Sequence, residues 1–104
     1  MATSPVAAKR LEGKTILITG ASSGIGRSTA FEFARSSPES LRLVLAARRL
    51  DALSQIAADI YREVGIGVKI HTVQLDVSNR DEVRLLISRL PTEFREIDIL
   101  VNNA

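Results

Sequence analysis

The sequence predicts an α/β protein built on a doubly wound parallel sheet, and three observations predict it. Four apolar, β-rich runs alternate with three stretches of helical periodicity, a pattern that requires parallel strands joined by right-handed helical crossovers. The second run, Leu41 to Ala47 (LRLVLAA), is almost continuously apolar, as a strand covered on both faces must be. Between the first run and the first helical stretch stand the glycines Gly20, Gly24 and Gly26.

The elements follow in order. Ile16-Leu17-Ile18-Thr19 is the first strand, and behind the glycines Ile25, Thr29, Ala30, Phe33 and Ala34 mark one face of a first helix. Ser36 to Ser40 is a loop, because Pro38 excludes its neighbour from the α region. The second strand ends at Arg48-Arg49. A second helix then places Leu53, Ile56, Ala57, Ile60 and Val64 on one face and stops at Gly65. Val68 to Leu75 (VKIHTVQL) is a third strand, left through Asp76-Val77-Ser78-Asn79. Asn79 and Glu82 have the spacing of a capping box for a third helix, with Val83, Leu86, Ile87 and Leu90 on its face and Pro91 behind it. Ile97 to Val101 is the fourth strand. A strand order 3-2-1-4 sets strands 1 and 4 side by side, with their carboxyl ends forming the crevice where such sheets bind ligands. The glycine turn and Asn102-Asn103-Ala104 then face each other across it.

Strand, glycine turn and helix together bring free backbone N–H groups and the positive end of a helix dipole to one point, which attracts phosphate. The spacing is Thr-Gly-x-x-x-Gly-x-Gly over Thr19 to Gly26. A tight βα turn with no ligand is the plain alternative. Ala21 to Ser28 (ASSGIGRS) also approaches the triphosphate-binding loop, but it has Ala for the first glycine and Arg27 for the lysine. Arginine does not replace that mobile point charge.

Composition bounds the remaining classes. A chain of 104 residues is one domain at most, and at that size it buries about two-thirds of its unfolded surface. It is 45% hydrophobic and 25% charged, with net charge +2, as globular proteins are. Eleven of the fourteen cations are arginine, scattered except at Arg48-Arg49, so no basic stripe points to nucleic acid. The absence of cysteine excludes a disulfide framework, and one histidine makes a poor basis for a transition-metal site. No apolar run has the length of a membrane span. Residues 1–12 are expected to form a flexible tail without an amphipathic targeting stripe, which points to the cytoplasm.

Three motifs, each at its expected place, carry a resemblance: TGASSGIG (Thr19 to Gly26), LDV (Leu75 to Val77) and DILVNNA (Asp98 to Ala104). Together they resemble the short-chain dehydrogenases/reductases and span most of the chain. Ala46 to Arg49 and Leu90 to Ala104 look especially like the NADP-dependent 3-hydroxy acid dehydrogenases that act on serine and allo-threonine. The resemblance implies a Rossmann-type coenzyme-binding half over residues 13–104 of a longer oxidoreductase that moves hydride to or from an alcohol or carbonyl. It implies that Gly20, Ser22, Ser23, Gly24, Ile25 and Gly26 line the pyrophosphate and adjacent ribose. Asp76 would accept a hydrogen bond from the adenine amino group, with the Val77 backbone beside it. Asn103 and Ala104 would lie next to the cofactor ribose and hold strand 4 to the glycine turn. Taken alone, Asp76 and Asn79 are better read as helix-capping residues, and Asn102-Asn103 as a polar strand end.

The cofactor is argued from charge. An NAD-preferring site sets a carboxylate at the end of strand 2, where it would repel a 2′-phosphate. Leu45-Ala46-Ala47 carries no acid there, and Arg48 and Arg49 supply two cations for charge-assisted bonds to phosphate. The expected cofactor is NADP(H); solvated loop arginines are the alternative. The Tyr-x-x-x-Lys pair, Ser and Asn on which the family's hydride transfer depends are not found. Tyr61 has Gly65, not Lys, four residues on, and His71 is a lone strand histidine. No catalytic residue is therefore assigned, and the isolated 104 residues are expected to be inactive and marginally stable, with homo-oligomerisation a property of the full-length protein. Two other readings stay open: a complete, non-catalytic nucleotide-binding module, and a receiver-like interaction domain. The latter needs acids at the end of strand 1, where Thr19-Gly20 stand.

Overall fold

The computed structural model describes residues 11–103. Residues 1–10 of the tail expected over 1–12, and the site residue Ala104, lie outside the described residues. Strand β1 (Thr15–Thr19) is followed by helix α1 (Gly24–Ser36), β2 (Arg42–Ala47), α2 (Leu50–Val64), β3 (Lys69–Gln74), α3 (Arg80–Arg89), a 3-10 turn (Thr92–Phe94) and β4 (Ile99–Asn102). All pairings are parallel and the order is β3-β2-β1-β4, as the alternation predicts. Beyond each predicted strand core the register is continuous: Leu17 lies opposite Val44 on one side and Leu100 on the other.

Every side chain of β1 is buried, because successive residues feed two different cores. Ile16 and Ile18 join Leu43, Leu45 and Ala47 beneath α1 and α2, which contribute Ala30, Phe31, Ala34, Leu53, Ile56 and Ile60. Leu17, Val44 and Ala46 point the other way, against Leu86 and Leu90 at the end of α3 and Phe94 of the 3-10 turn. Burying each Leu or Ile contributes about 1.5–3 kcal/mol relative to leaving it in water. That two-sided burial explains why β2 reads as an apolar run interrupted only by Arg42, while β3, on the sheet edge, alternates. On that edge the Tyr61 hydroxyl accepts the Ile70 N–H at 3.0 Å and so occupies one of the donors an edge strand leaves open.

Two details differ from the periodicity. The buried stripe of α1 is Gly26, Ala30, Phe31 and Ala34, and Ile25 is 73% exposed. The reason lies in Gly26: a Cβ there would meet the Gly20 carbonyl oxygen at 2.2 Å. Backbone contact at Gly26 turns the small residues four and eight positions on toward the sheet, and Ile25 is carried round toward solvent. The guanidinium groups of Arg27 and Arg35 cover the Phe31 ring at 4.6 and 5.2 Å.

The second difference is at α3. Asn79 Oδ1 accepts the N–H groups of Asp81 and Glu82 at 3.0 and 3.4 Å, as an N-cap does. Its own N–H is already bonded to the Asp76 carbonyl at 3.0 Å. Glu82 therefore does not close the capping box; its carboxylate accepts the Asp76 N–H at 3.1 Å instead.

Candidate functional site

The carboxyl ends of the strands converge on a cleft of about 510 Å³. The register places Thr19 beside Ala46 and Asn102, so the turns leaving β1 and β2 and the end of β4 must meet there. Gly20 starts the first turn with φ +62°, in the left-handed region that glycine enters without Cβ strain. Ser23 then caps α1: its hydroxyl donates to the Gly20 carbonyl at 2.8 Å and accepts the Gly26 N–H at 3.3 Å. The N–H groups of Gly24 and Ile25 have no partner among the described residues, as the first turn of a helix leaves them. No acidic side chain stands in that first turn to occupy the dipole's positive end.

The β4 end is tied to this turn. Asn103 donates from Nδ2 to Ser23 Oγ at 2.9 Å and to the Gly20 carbonyl at 3.5 Å. Thr19 Oγ1 accepts the Asn103 N–H at 3.1 Å and donates to Asn102 Oδ1 at 2.9 Å. Sequence reasoning assigned no role to Thr19, yet it is buried and holds the two strand ends in register. Its place at the last position of an otherwise apolar run, facing Asn102, is the signal that could have found it.

The opposite wall comes from β3. Asp76 is half-buried, and its Oδ1 accepts both the hydroxyl of Ser78 at 2.6 Å and its N–H at 3.0 Å. These two bonds, with the positive charge of Arg48 nearby, hold the Asp76 carboxyl below the usual carboxylate range. Its Oδ2 has no hydrogen-bond partner among the described residues. Arg48 and Arg49 are both exposed. Arg49 pairs with Asp51 at 3.1 Å, and Asp51 is held below the usual range chiefly by that bond.

Gly20, Ser22, Ser23, Arg48, Arg49, Asp76, Val77 and Asn103 thus line one cleft, although the sequence separates them by up to 83 positions. Ala47, Leu75 and Ser78 complete the lining without having been singled out. Gly26 lies beneath the turn, in contact with Gly20 and Asn103. Gly24 and Ile25 stand round the helix end on a separate groove with Leu11 and Phe33. Tyr61 and His71 are both far from this cleft, lining the β3 edge beside Phe94.

Fold and cleft together define a doubly wound, Rossmann-type α/β domain. The short chain dehydrogenase family model matches residues 14–104, and the chain belongs to that family. It is 50% identical over 95 residues to the NADP-dependent 3-hydroxy acid dehydrogenase of Schizosaccharomyces pombe, covering 91% of this chain and 35% of that protein. Two solved structures superpose on it. The L-sorbose reductase of Gluconobacter frateurii, complexed with NADPH and L-sorbose, aligns with TM-score 0.77 and 36% identity over 90% of this chain and 34% of its own. A short-chain dehydrogenase of Sphingobium yanoikuyae in complex with NADPH gives TM-score 0.71 and 41% identity over 88% and 34%. The chain spans about a third of the length of the relatives it matches. Among the described residues, no helix is long and apolar enough to cross a membrane.

Proposed function

We propose that the cleft holds NADP(H), and that this chain supplies the coenzyme-binding part of an oxidoreductase acting on an alcohol or carbonyl compound such as a 3-hydroxy acid. The observation that carries the cofactor reading is the pair Arg48-Arg49 at the end of β2, with no carboxylate among the three residues before it. A 2′-phosphate there meets the cations of Arg48 and Arg49, and the two acids nearby are engaged, Asp51 with Arg49 and Asp76 with Ser78. The pyrophosphate sits at the N-terminus of α1, on the unpartnered Gly24 and Ile25 N–H groups. Asp76 presents its free Oδ2 to the adenine amino group, and Ser78 fixes the direction of that oxygen. Asn103, Gly20 and Ser23 shape the wall beside the ribose.

When bound, the cofactor would supply or accept the hydride. What these residues do is bind and orient it. The proton-transfer groups that the family resemblance implies belong, in this reading, to parts of the complete protein beyond these 104 residues, and this segment is inactive alone. The 3-hydroxy acid class is supported by the 50% identity to the S. pombe enzyme.

The test is calorimetric titration of the complete protein carrying this chain with NADPH and with NADH. NADPH is expected to bind the tighter. Arg48→Ala should weaken NADPH at least tenfold, in keeping with about 1.5–3 kcal/mol for a hydrogen bond to a charged group, and leave NADH nearly unchanged. Equal or tighter NADH binding by the unmodified protein would overturn the cofactor reading.

A further inference from the structure

One hydrogen bond at the rim of this cleft is not explained by the fold alone. β2 ends at Ala47, where the Leu75 N–H donates to the Ala47 carbonyl at 2.9 Å and closes the ladder. The next carbonyl, that of Arg48, has no strand partner. Gln74, the last residue of β3 and opposite Ala47 in the register, donates from its side-chain Nε2 to the Arg48 carbonyl at 3.0 Å. Since a carbonyl only accepts, the amide of Gln74 must present its NH₂ group there.

This bond lies where the chain leaves the sheet and has little else to hold it. Arg49 occupies the N-cap position of α2 without any side-chain cap hydrogen bond. Arg48 itself is exposed, and so is Gln74, so apolar packing does not fix either one. Gln74 does not line the cleft, whereas Arg48 does. The Gln74 side chain thus pins the peptide from which the Arg48 side chain departs, and so the direction in which its guanidinium reaches the cleft.

We propose that Gln74 is a positioning residue for cofactor preference: by holding the Arg48 carbonyl it aims Arg48 at the 2′-phosphate, and so favours NADPH over NADH without touching either. The inference rests on the reading that Arg48 meets that phosphate.

The experiment measures dissociation constants for NADPH and NADH in the complete protein, comparing the unmodified form with Gln74→Met, Gln74→Ala and Arg48→Ala. Methionine keeps the length of the side chain and removes the amide, and with it the NH₂ donor. Both Gln74 variants are expected to weaken NADPH by about three- to tenfold, the range of one neutral hydrogen bond, and to leave NADH unchanged. The ratio of the two constants is the readout, because a general loosening of the domain weakens both cofactors alike. If Arg48→Ala collapses the NADPH preference while both Gln74 variants keep it, or lose both cofactors equally, the role of Gln74 is overturned and the arginine clamp stands. If Arg48→Ala itself keeps the preference, the clamp is wrong and the inference falls with it.

Discussion

At the scale of single residues, Gly24 and Gly26 look alike in sequence and differ in cause. A Cβ at Gly26 would lie 2.2 Å from the Gly20 carbonyl oxygen and 2.8 Å from Asn103 Nδ2, whereas one at Gly24 would meet nothing within 4 Å. Gly24 also lacks a positive φ, so neither packing nor backbone geometry within the chain requires glycine there. In the proposed reading, the close approach of NADPH does. Gly26→Ala must displace the turn and should destabilise the protein by about 1–3 kcal/mol, as overpacking does. Gly24→Ala should leave stability equal or slightly raised but weaken NADPH binding severalfold. Chemical denaturation and cofactor titration of the two variants separate these effects, and a Gly24→Ala protein that binds NADPH normally would remove the ligand from this account of Gly24. The glycine spacing showed that a ligand could bind, but not which glycine serves the ligand and which the fold. That division depends on Asn103, brought against Gly26 from the far end of the chain.

At the scale of elements, strand and helix order was legible because the runs of β1 and β2 are buried almost throughout, as their patterns imply. The faces were less so. Ile87, placed on the inner face of α3 by spacing, is 44% exposed, whereas Leu86 of that helix and Leu90 just behind it are buried in the second core. The turn from Asp76 to Asn79 was legible as polar, but not as a network in which Glu82 serves Asp76 and Ser78 serves its carboxylate. That network has a pH signature. A carboxyl held below its usual range stabilises the fold above the unfolded value, and that contribution is lost as pH falls through the folded one. The hydroxyl bond from Ser78 is the largest cause. Ser78→Ala should therefore raise the Asp76 titration midpoint toward the ordinary carboxylate range, so that acid loosens the turn at higher pH. Carboxyl-carbon NMR titration measures this; an unmoved midpoint would contradict the role given to Ser78.

At the scale of the whole molecule, the sheet is covered unevenly. Beneath α1 and α2 the strands are sealed, while on the α3 side Leu100 of β4 is 61% exposed although its neighbour Leu17 is buried. The relatives are about three times as long as this chain, and a partner for β4 and a cover for Leu100 are what further chain of that length can provide. The cleft proposed for the cofactor, by contrast, is assembled within the described residues, from four segments that the 3-2-1-4 order brings to one end of the sheet. The three motifs and the Arg48-Arg49 pair named most of the residues that line it, but its depth was not legible, since the walls depend on Thr19 and Asn103 joining β1 to β4. The most direct measurement is a crystal structure of the complete protein with NADPH bound. The account predicts the 2′-phosphate within hydrogen-bond distance of Arg48, the pyrophosphate over the Gly24 and Ile25 N–H groups, and the adenine amino group on Asp76. NADPH bound outside this cleft, or a 2′-phosphate turned to solvent away from Arg48, would contradict it.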